Sequence, residues 1–168
     1  MSAQWYAASL QSNREQQAQK YFAGQGVIHF LPTYRTLSSR KDRSKILVRP
    51  LFPGYIFVQL IIPGPKKTDV LKCPGVSGIV SFSGVAAPID DSIIESLKIL
   101  TGADSGEVQP HPLVRAGQRV LVTEGPFKGA SGMLFGSSSR KKQLVVEVGF
   151  LGRAVAVPIL PEQAIPLL

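Results

Sequence analysis

Hydrophobic and polar positions alternate between two rhythms in the first hundred residues. Trp5 to Leu10 is a short apolar run led by two aromatic residues, the pattern of a buried strand. Ser12-Asn13-Arg14-Glu15 then reads as a capping box, and Ala18, Tyr21 and Phe22 follow at the i, i+3, i+4 spacing of one helix face, ended by Gly24 and Gly26. Val27 to Tyr34 and Leu51 to Leu60 are rich in β-branched and aromatic residues and predict two more strands; Ile61 to Lys67 turns the chain, and Val76 to Phe82 is a fourth strand. Asp90 or Asp91 caps a second helix over Ser92 to Leu100, whose Ile93, Ile94, Leu97 and Leu100 share one broad face. Through about residue 100 these elements predict an α+β fold, an antiparallel sheet flanked by helices.

The rhythm stops at Thr101 to Pro112, a stretch of Gly, Ser, Asp and Pro with no apolar period, which reads as a flexible linker. Beyond it, QRVLVTE, ASGMLF, QLVVEVG and RAVAVPIL are short strand-like runs separated by GPFKG, GSSSRKK and FLG turns. So many strands in so few residues predict a small all-β barrel. The expected organisation is residues 1–100, a linker at 101–112 and a barrel at 113–168.

Composition narrows what these domains can do. Of 168 residues 44% are hydrophobic and 18% charged, enough to bury a core. Nineteen basic against eleven acidic residues give a net charge of +8, which favours an acidic partner such as nucleic acid. Much of that charge lies in Arg35, Arg40, Lys41, Arg43, Lys45 and Arg49, expected on a long hairpin tip between two strands, where cations can reach outside the fold. The single cysteine, Cys73, excludes an intrachain disulfide and a thiolate-built metal site, and is expected to be a buried apolar residue. The longest apolar stretch is too short and too interrupted to span a bilayer, and the first ten residues lack the features of a signal peptide, so a cytoplasmic, membrane-free monomer is expected.

Catalytic chemistry is hard to find. His29 and His111 have no carboxylate or thiol at triad or metal-ligand spacing, and no phosphate-binding glycine loop follows a strand. Asp90-Asp91 serves better as cap and dipole partner of a helix than as an acid–base pair. The expectation is a non-enzymatic protein with no cofactor and no metal.

Two signatures carry a resemblance. Trp5-Tyr6, Phe52-Pro53-Gly54-Tyr55-Ile56-Phe57-Val58 and Pro74-Gly75-Val76 resemble the amino-terminal (NGN) domain of NusG-type transcription elongation factors. Val114 to Val120, leading into Glu124-Gly125-Pro126-Phe127-Lys128-Gly129-Ala130-Ser131-Gly132, resembles the KOW motif opening the family's carboxy-terminal SH3-like barrel, and Leu151-Gly152-Arg153-Ala154 continues the match. The motifs cover nearly the whole chain in the family's order. Independently of the family, Gly125, Gly129 and Gly132 suit positive φ and tight turns in a narrow barrel.

The resemblance implies a factor that docks on the clamp helices of RNA polymerase through an apolar patch and suppresses pausing or termination. By matching positions the patch comprises Tyr55, Phe57, Phe82, Ile94 and Leu97, although strand alternation places at least one of Ile56 and Phe57 in an ordinary core. Phe150, Leu151 and Arg153 match the barrel loop that meets a ribosomal protein or the termination factor Rho. Arg49-Pro50-Leu51-Phe52-Pro53 and Phe82 with Ala87-Pro88-Ile89 are similar to specialised RfaH-like paralogues, in which the last domain can instead fold as a helical hairpin. Gly149, Gly152, Pro158 and Pro161 oppose such a helix, since an interior proline costs about 3 kcal/mol and a glycine about 1. A constitutive barrel is therefore expected.

The positions by which RfaH-like proteins read DNA fall here on Gln11, Ser12, Tyr21, Cys73 and Pro74. Contact with the non-template DNA strand would thus use Arg14, Lys20, Tyr21, Lys72 and the basic hairpin residues Arg40, Lys41 and Arg43, cations holding phosphates and the tyrosine ring stacking on a base. The competing reading is an RNA- or ribosome-associated KOW protein whose basic hairpin binds rRNA.

Overall fold

The computed structural model describes residues 2–37, 45–103, 107–113, 117–136 and 142–167. In chain order the elements are β1 (Gln4–Leu10), α1 (Glu15–Gly24), β2 (Ile28–Phe30), β3 (Thr33–Leu37), β4 (Ile46–Pro50), β5 (Tyr55–Leu60), α2 (Pro65–Leu71), β6 (Val76–Ile79), β7 (Ser81–Phe82), β8 (Val85–Ala86), α3 (Asp91–Gly102), β9 (Gln109–His111), β10 (Gln118–Val122), β11 (Ser131–Phe135), β12 (Lys142–Val148), β13 (Arg153–Ile159) and β14 (Ala164–Pro166). Single 3-10 turns lie at Gly149–Leu151 and Pro161–Gln163. The chain divides into two compact units, Met1–Pro32 with Phe52–Asp91, and Thr33–Leu51 with Ser92–Leu168.

In the first unit an antiparallel sheet runs in the order β2-β5-β1-β6. Its two central strands are buried on both faces. Tyr6, Ala8 and Leu10 of β1 and Ile56, Val58 and Leu60 of β5 point to one side and pack with Ala18 and Phe22 of α1, Val70 of α2 and Cys73. On the other side lie Trp5, Ala7 and Phe57, all buried, with the Phe57 ring between Phe30 (centroids 6.3 Å apart) and Phe52 (5.3 Å).

Several sequence expectations are corrected in this unit. Helix α1 starts at Glu15 rather than after Ser12, because Asn13 takes a left-handed φ of 61° that no helix continues through. Glu15 does not close a capping box. Buried to 7% exposure, its Oε1 accepts the Gly54 N–H at 3.0 Å, while the Gly54 carbonyl accepts the Leu10 N–H at 2.8 Å. Gly54 has φ +85°, so the Pro53-Gly54 turn is fixed from both sides by the start of α1 and the end of β1. The run expected as a strand from Val27 to Tyr34 breaks at Leu31-Pro32, consistent with a proline lacking the ladder donor. The expected strand from Leu51 begins only at Tyr55. The turn after Ile61 holds the short helix α2, which Pro65 opens at a position where its missing N–H costs nothing.

In the second unit β3 and β4 form a two-stranded ribbon, so Arg35, Lys45 and Arg49 sit on or beside its arms; Arg40, Lys41 and Arg43 lie outside the described residues. The main sheet has the order β14-β10-β11-β12-β13-β9. His111 on β9 and Phe135 on β11 are three strand positions apart, which in a flat sheet would separate them by about 14 Å. Their rings are 5.7 Å apart, so the sheet rolls up as the all-β runs predicted. Residues 109–111, expected in the linker, are the edge strand pairing with β13. Both edge strands carry a proline, Pro110 on β9 and Pro166 on β14.

Gly125 and Gly129 do take positive φ, +85° and +94°. Gly132 does not: it is required for room, since a Cβ there would come within 2.4 Å of the Val145 carbonyl oxygen on the neighbouring strand. Helix α3 also belongs to this unit. The Oγ of its Ser96, 1% exposed, accepts the Ser131 N–H at 3.0 Å, and Ile99 Cδ1 would lie 3.3 Å from a Cβ on Gly129.

Candidate partner-binding surfaces

The five residues expected to form the polymerase patch are placed unequally. Phe82 is 56% exposed and pairs across the β7–β8 hairpin with Val85, 70% exposed. Ser83 and Gly84, both at positive φ (50° and 78°), make the two-residue turn that projects this apolar pair. Tyr55, the first residue of β5, is half-buried, and Phe57, two residues on and therefore on the same sheet face, is fully buried in the aromatic cluster with Phe30 and Phe52. Ile94 and Leu97 on α3 are also fully buried. At ~100° per residue they lie more than 90° around the helix from Ser96, the residue that meets Ser131.

Among the residues expected to meet nucleic acid, Arg14, Lys20 and Lys72 are exposed and Tyr21 is half-buried, its ring edge-on to Phe22 at 6.2 Å. Arg14, Gln17 and Tyr21 share a helix face. The Arg14 guanidinium donates from Nη1 to Gln17 Oε1 at 2.8 Å, and its Cβ and Cγ lie within 3.0 Å of where a Gly75 Cβ would be. Gly75 accepts the Gln11 N–H through its carbonyl at 2.8 Å, which holds the Lys72-to-Gly75 turn against the start of α1. The structure thus brings Arg14 beside the turn that follows Lys72, with Tyr21 two helical turns further on.

At one end of the rolled sheet the 3-10 turn Gly149–Leu151 presents Phe150, 38% exposed, while Leu151 is tucked in at 9%. Gly152, at φ +66°, reverses the chain into Arg153, the exposed first residue of β13. An apolar ring and a cation therefore stand close in sequence on one tip.

The histidines engage backbone and rings: His29 Nδ1 lies 2.9 Å from the Val27 carbonyl and its ring 6.1 Å from Phe22, and His111 Nδ1 is 2.6 Å from the Pro112 carbonyl. Among the described residues no group of three or more His, Cys, Asp or Glu could hold a metal ion. Cys73 is buried, and burial raises its thiol above the ordinary range. No described helix is long and apolar enough to cross a membrane.

The family model described as "Transcription termination factor nusG" matches residues 3–98. The chain belongs to the NusG family. A transcription termination/antitermination protein NusG of Treponema pallidum is 30% identical over 95% of this chain and 96% of its own, and that of Borreliella burgdorferi 26% identical over the same shares. The NusG of Escherichia coli K12 is 28% identical over 77% of this chain and 72% of its own. A solved structure described as domain interaction in Thermotoga maritima NusG shares the fold, with a TM-score of 0.55 at 22% identity, covering 98% of this chain and 97% of that one. This NusG family member carries the α+β and all-β parts that its two motif sets predicted.

Sequence reasoning missed two polar anchors, Glu15 for Gly54 and Ser96 for Ser131. Ser96 left a signal: it is a hydroxyl set among Ile93, Ile94, Leu97 and Leu100 on an otherwise apolar helix.

Proposed function

We propose that this protein is a transcription elongation and antitermination factor that binds RNA polymerase clamp helices through its amino-terminal α+β part and a second partner, a ribosomal protein or Rho, through the carboxy-terminal barrel whose sheet runs from β9 to β14. Two-motif membership of the NusG family supports the general reading. The observation that carries the docking site is the Phe82–Val85 pair, an aromatic and an aliphatic side chain held out to solvent by a tight turn. Tyr55, half-buried at the head of β5, is proposed as a further part of the contact, and Phe57, packed against Phe30 and Phe52, fixes that strand. Ile94 and Leu97 are buried in this structure, so a polymerase surface that touches them must first uncover them.

Arg14, Lys20, Tyr21 and Lys72 form the proposed non-template strand contact, with Arg40, Lys41 and Arg43 as sequence candidates. Phe150, Leu151 and Arg153 are the proposed contact of the barrel. The protein is proposed as a cytoplasmic monomer without catalytic activity, and as a specialised RfaH-like paralogue whose barrel does not convert to helices. Gly152 at positive φ and Pro158 inside β13 support that last point.

The test is a pull-down of core RNA polymerase on the full chain. Capture should survive nuclease treatment and fall at least tenfold with Phe82→Ser. Capture that disappears with nuclease and is indifferent to Phe82→Ser would favour the RNA- or ribosome-associated reading.

A further inference from the structure

The β3–β4 ribbon presents an apolar face that the proposed function does not use. Cross-strand pairing sets Arg35 opposite Val48 and Leu37 opposite Ile46, and because side chains alternate along a strand all four stand on one face. Leu37, Ile46 and Val48 are 72%, 62% and 55% exposed. On the opposite face Tyr34, Thr36 and Leu47 are half-buried and Arg49 is exposed, so the ribbon turns its aliphatic side to solvent. At its root Thr33, Arg35 and Val48 border a recess of about 390 Å³ against the end of α3, which leaves Leu37 and Ile46 as the most accessible pair. The described arms carry three cations, Arg35, Lys45 and Arg49, and no carboxylate.

We infer that this face enters the major groove of duplex DNA, with its aliphatic side chains against thymine methyl groups and its cations on the flanking phosphates. Three features select that occupant. The major groove of B-form DNA, about 12 Å wide, admits a two-stranded ribbon, and five residues per arm at ~3.4 Å each span roughly five base pairs. The groove floor bears the thymine methyls, apolar groups set between two lines of phosphate, which is the complement of an aliphatic strip with cations on and beside it. Arg35, on the same face as the aliphatic residues, has the planar donor fork that pairs with guanine O6 and N7.

Other partners fit less well. Single strands are held on aromatic platforms, and this face has none. The major groove of A-form RNA is too deep and narrow for a ribbon. A second copy of this chain would bring like charge against like, since Thr33 to Pro50 contains six basic residues and one acidic.

The experiment is an NMR titration of the full-length chain with five probes: a thymine-rich DNA duplex, the same duplex with uracil at every thymine position, an RNA duplex of the same sequence, oligo-dT, and polyglutamate in place of an acidic protein surface. Uracil lacks only the 5-methyl group, so it removes the apolar contact and keeps the phosphates. The thymine duplex should shift the methyl signals of Leu37, Ile46 and Val48, and bind at least threefold more tightly than the uracil duplex and tenfold more tightly than the RNA duplex. Leu37→Ser and Ile46→Ser, at exposed positions, should each weaken it at least fivefold; the uracil comparison is made on the parent chain and needs no variant. Major-groove binding is refuted if the thymine duplex leaves these methyls unmoved, if the uracil duplex binds within threefold or the RNA duplex within tenfold, if oligo-dT or polyglutamate shifts the same methyls at equal or lower concentration, or if both variants bind like the parent. No polymerase is present in the titration, so the docking proposal stands or falls separately.

Discussion

The contact between α3 and the rolled sheet rests on one hydroxyl whose removal has a calculable effect. Ser131 is the first residue of β11, and the β11–β12 ladder pairs only from Met133 onward. The Ser131 N–H therefore has no partner on β12 and donates instead to Ser96 Oγ at 3.0 Å, with the two hydroxyl oxygens 3.5 Å apart. In Ser96→Ala that amide loses its acceptor in a site where the parent residue is 1% exposed. An unsatisfied buried donor costs about 1–3 kcal/mol, partly offset by up to roughly 0.5 kcal/mol from the better helix propensity of alanine. The local opening free energy at Ser131 should fall accordingly, lowering its amide exchange protection by between about 3-fold and 100-fold on a scale of 1.4 kcal/mol per decade. Ser131→Ala is the control, because it removes only the hydroxyl at 3.5 Å and leaves the N–H bond; its protection should stay within about twofold. Hydrogen exchange followed by NMR on both variants decides the matter. Unchanged protection in Ser96→Ala, or an equal loss in Ser131→Ala, would refute the assignment of the backbone bond as the anchor.

Four other outcomes are expected. Gly132→Ala drives a Cβ into the Val145 carbonyl and should destabilise the barrel by about 3 kcal/mol or more, whereas Gly149→Ala, with open space around it, should stay within about 0.5 kcal/mol; denaturant melts of the two variants compare them directly. Phe57→Ala should cost about 3–5 kcal/mol of stability, so its effect on polymerase binding must be measured below its melting transition, while Phe82→Ala should leave stability within about 0.5 kcal/mol and report binding alone. Glu15→Gln keeps an acceptor for the Gly54 N–H and should melt close to the parent, and Glu15→Ala should lose about 1–3 kcal/mol. The Cys73 thiol, raised by burial, should react slowly with a thiol reagent at mildly alkaline pH until the chain unfolds. Its contribution to stability is complete below the unfolded thiol's range and is lost as pH rises through the folded one, so Cys73→Ala should flatten the alkaline limb of a pH–stability curve.

Strands with strong alternation and helices with clear faces were legible in the chain because burial imposes a period on it. What escaped was fixed by contacts distant in sequence. Glu15 satisfies the local rule for a capping box, yet Gly54, brought alongside by β5, offers it a better donor and the local pairing is not made. Helix α2 is too short for its apolar positions to show a period, and Pro65-Lys66-Lys67 reads as turn until Val70 is seen in the core. Residues 109–111 look like linker because a proline-containing edge strand has little apolar signal; only the pairing with β13 identifies them. In the candidate patch the positions matched by the resemblance implied an apolar surface, but such a match does not separate Phe82, 56% exposed, from Phe57, fully buried. That distinction lies in which side of which strand the turn projects.

The prolines at the two margins of the barrel sheet bear on how such a scaffold resists pairing with other extended chains. An open strand margin accepts almost any extended polypeptide, because the backbone is the same everywhere. With Pro110 and Pro166 each removing a donor from those margins, growth of the sheet by a foreign strand is discouraged on both sides. Selection is then left to side chains at the ends of the barrel, where composition can differ from one family member to the next while the scaffold stays the same.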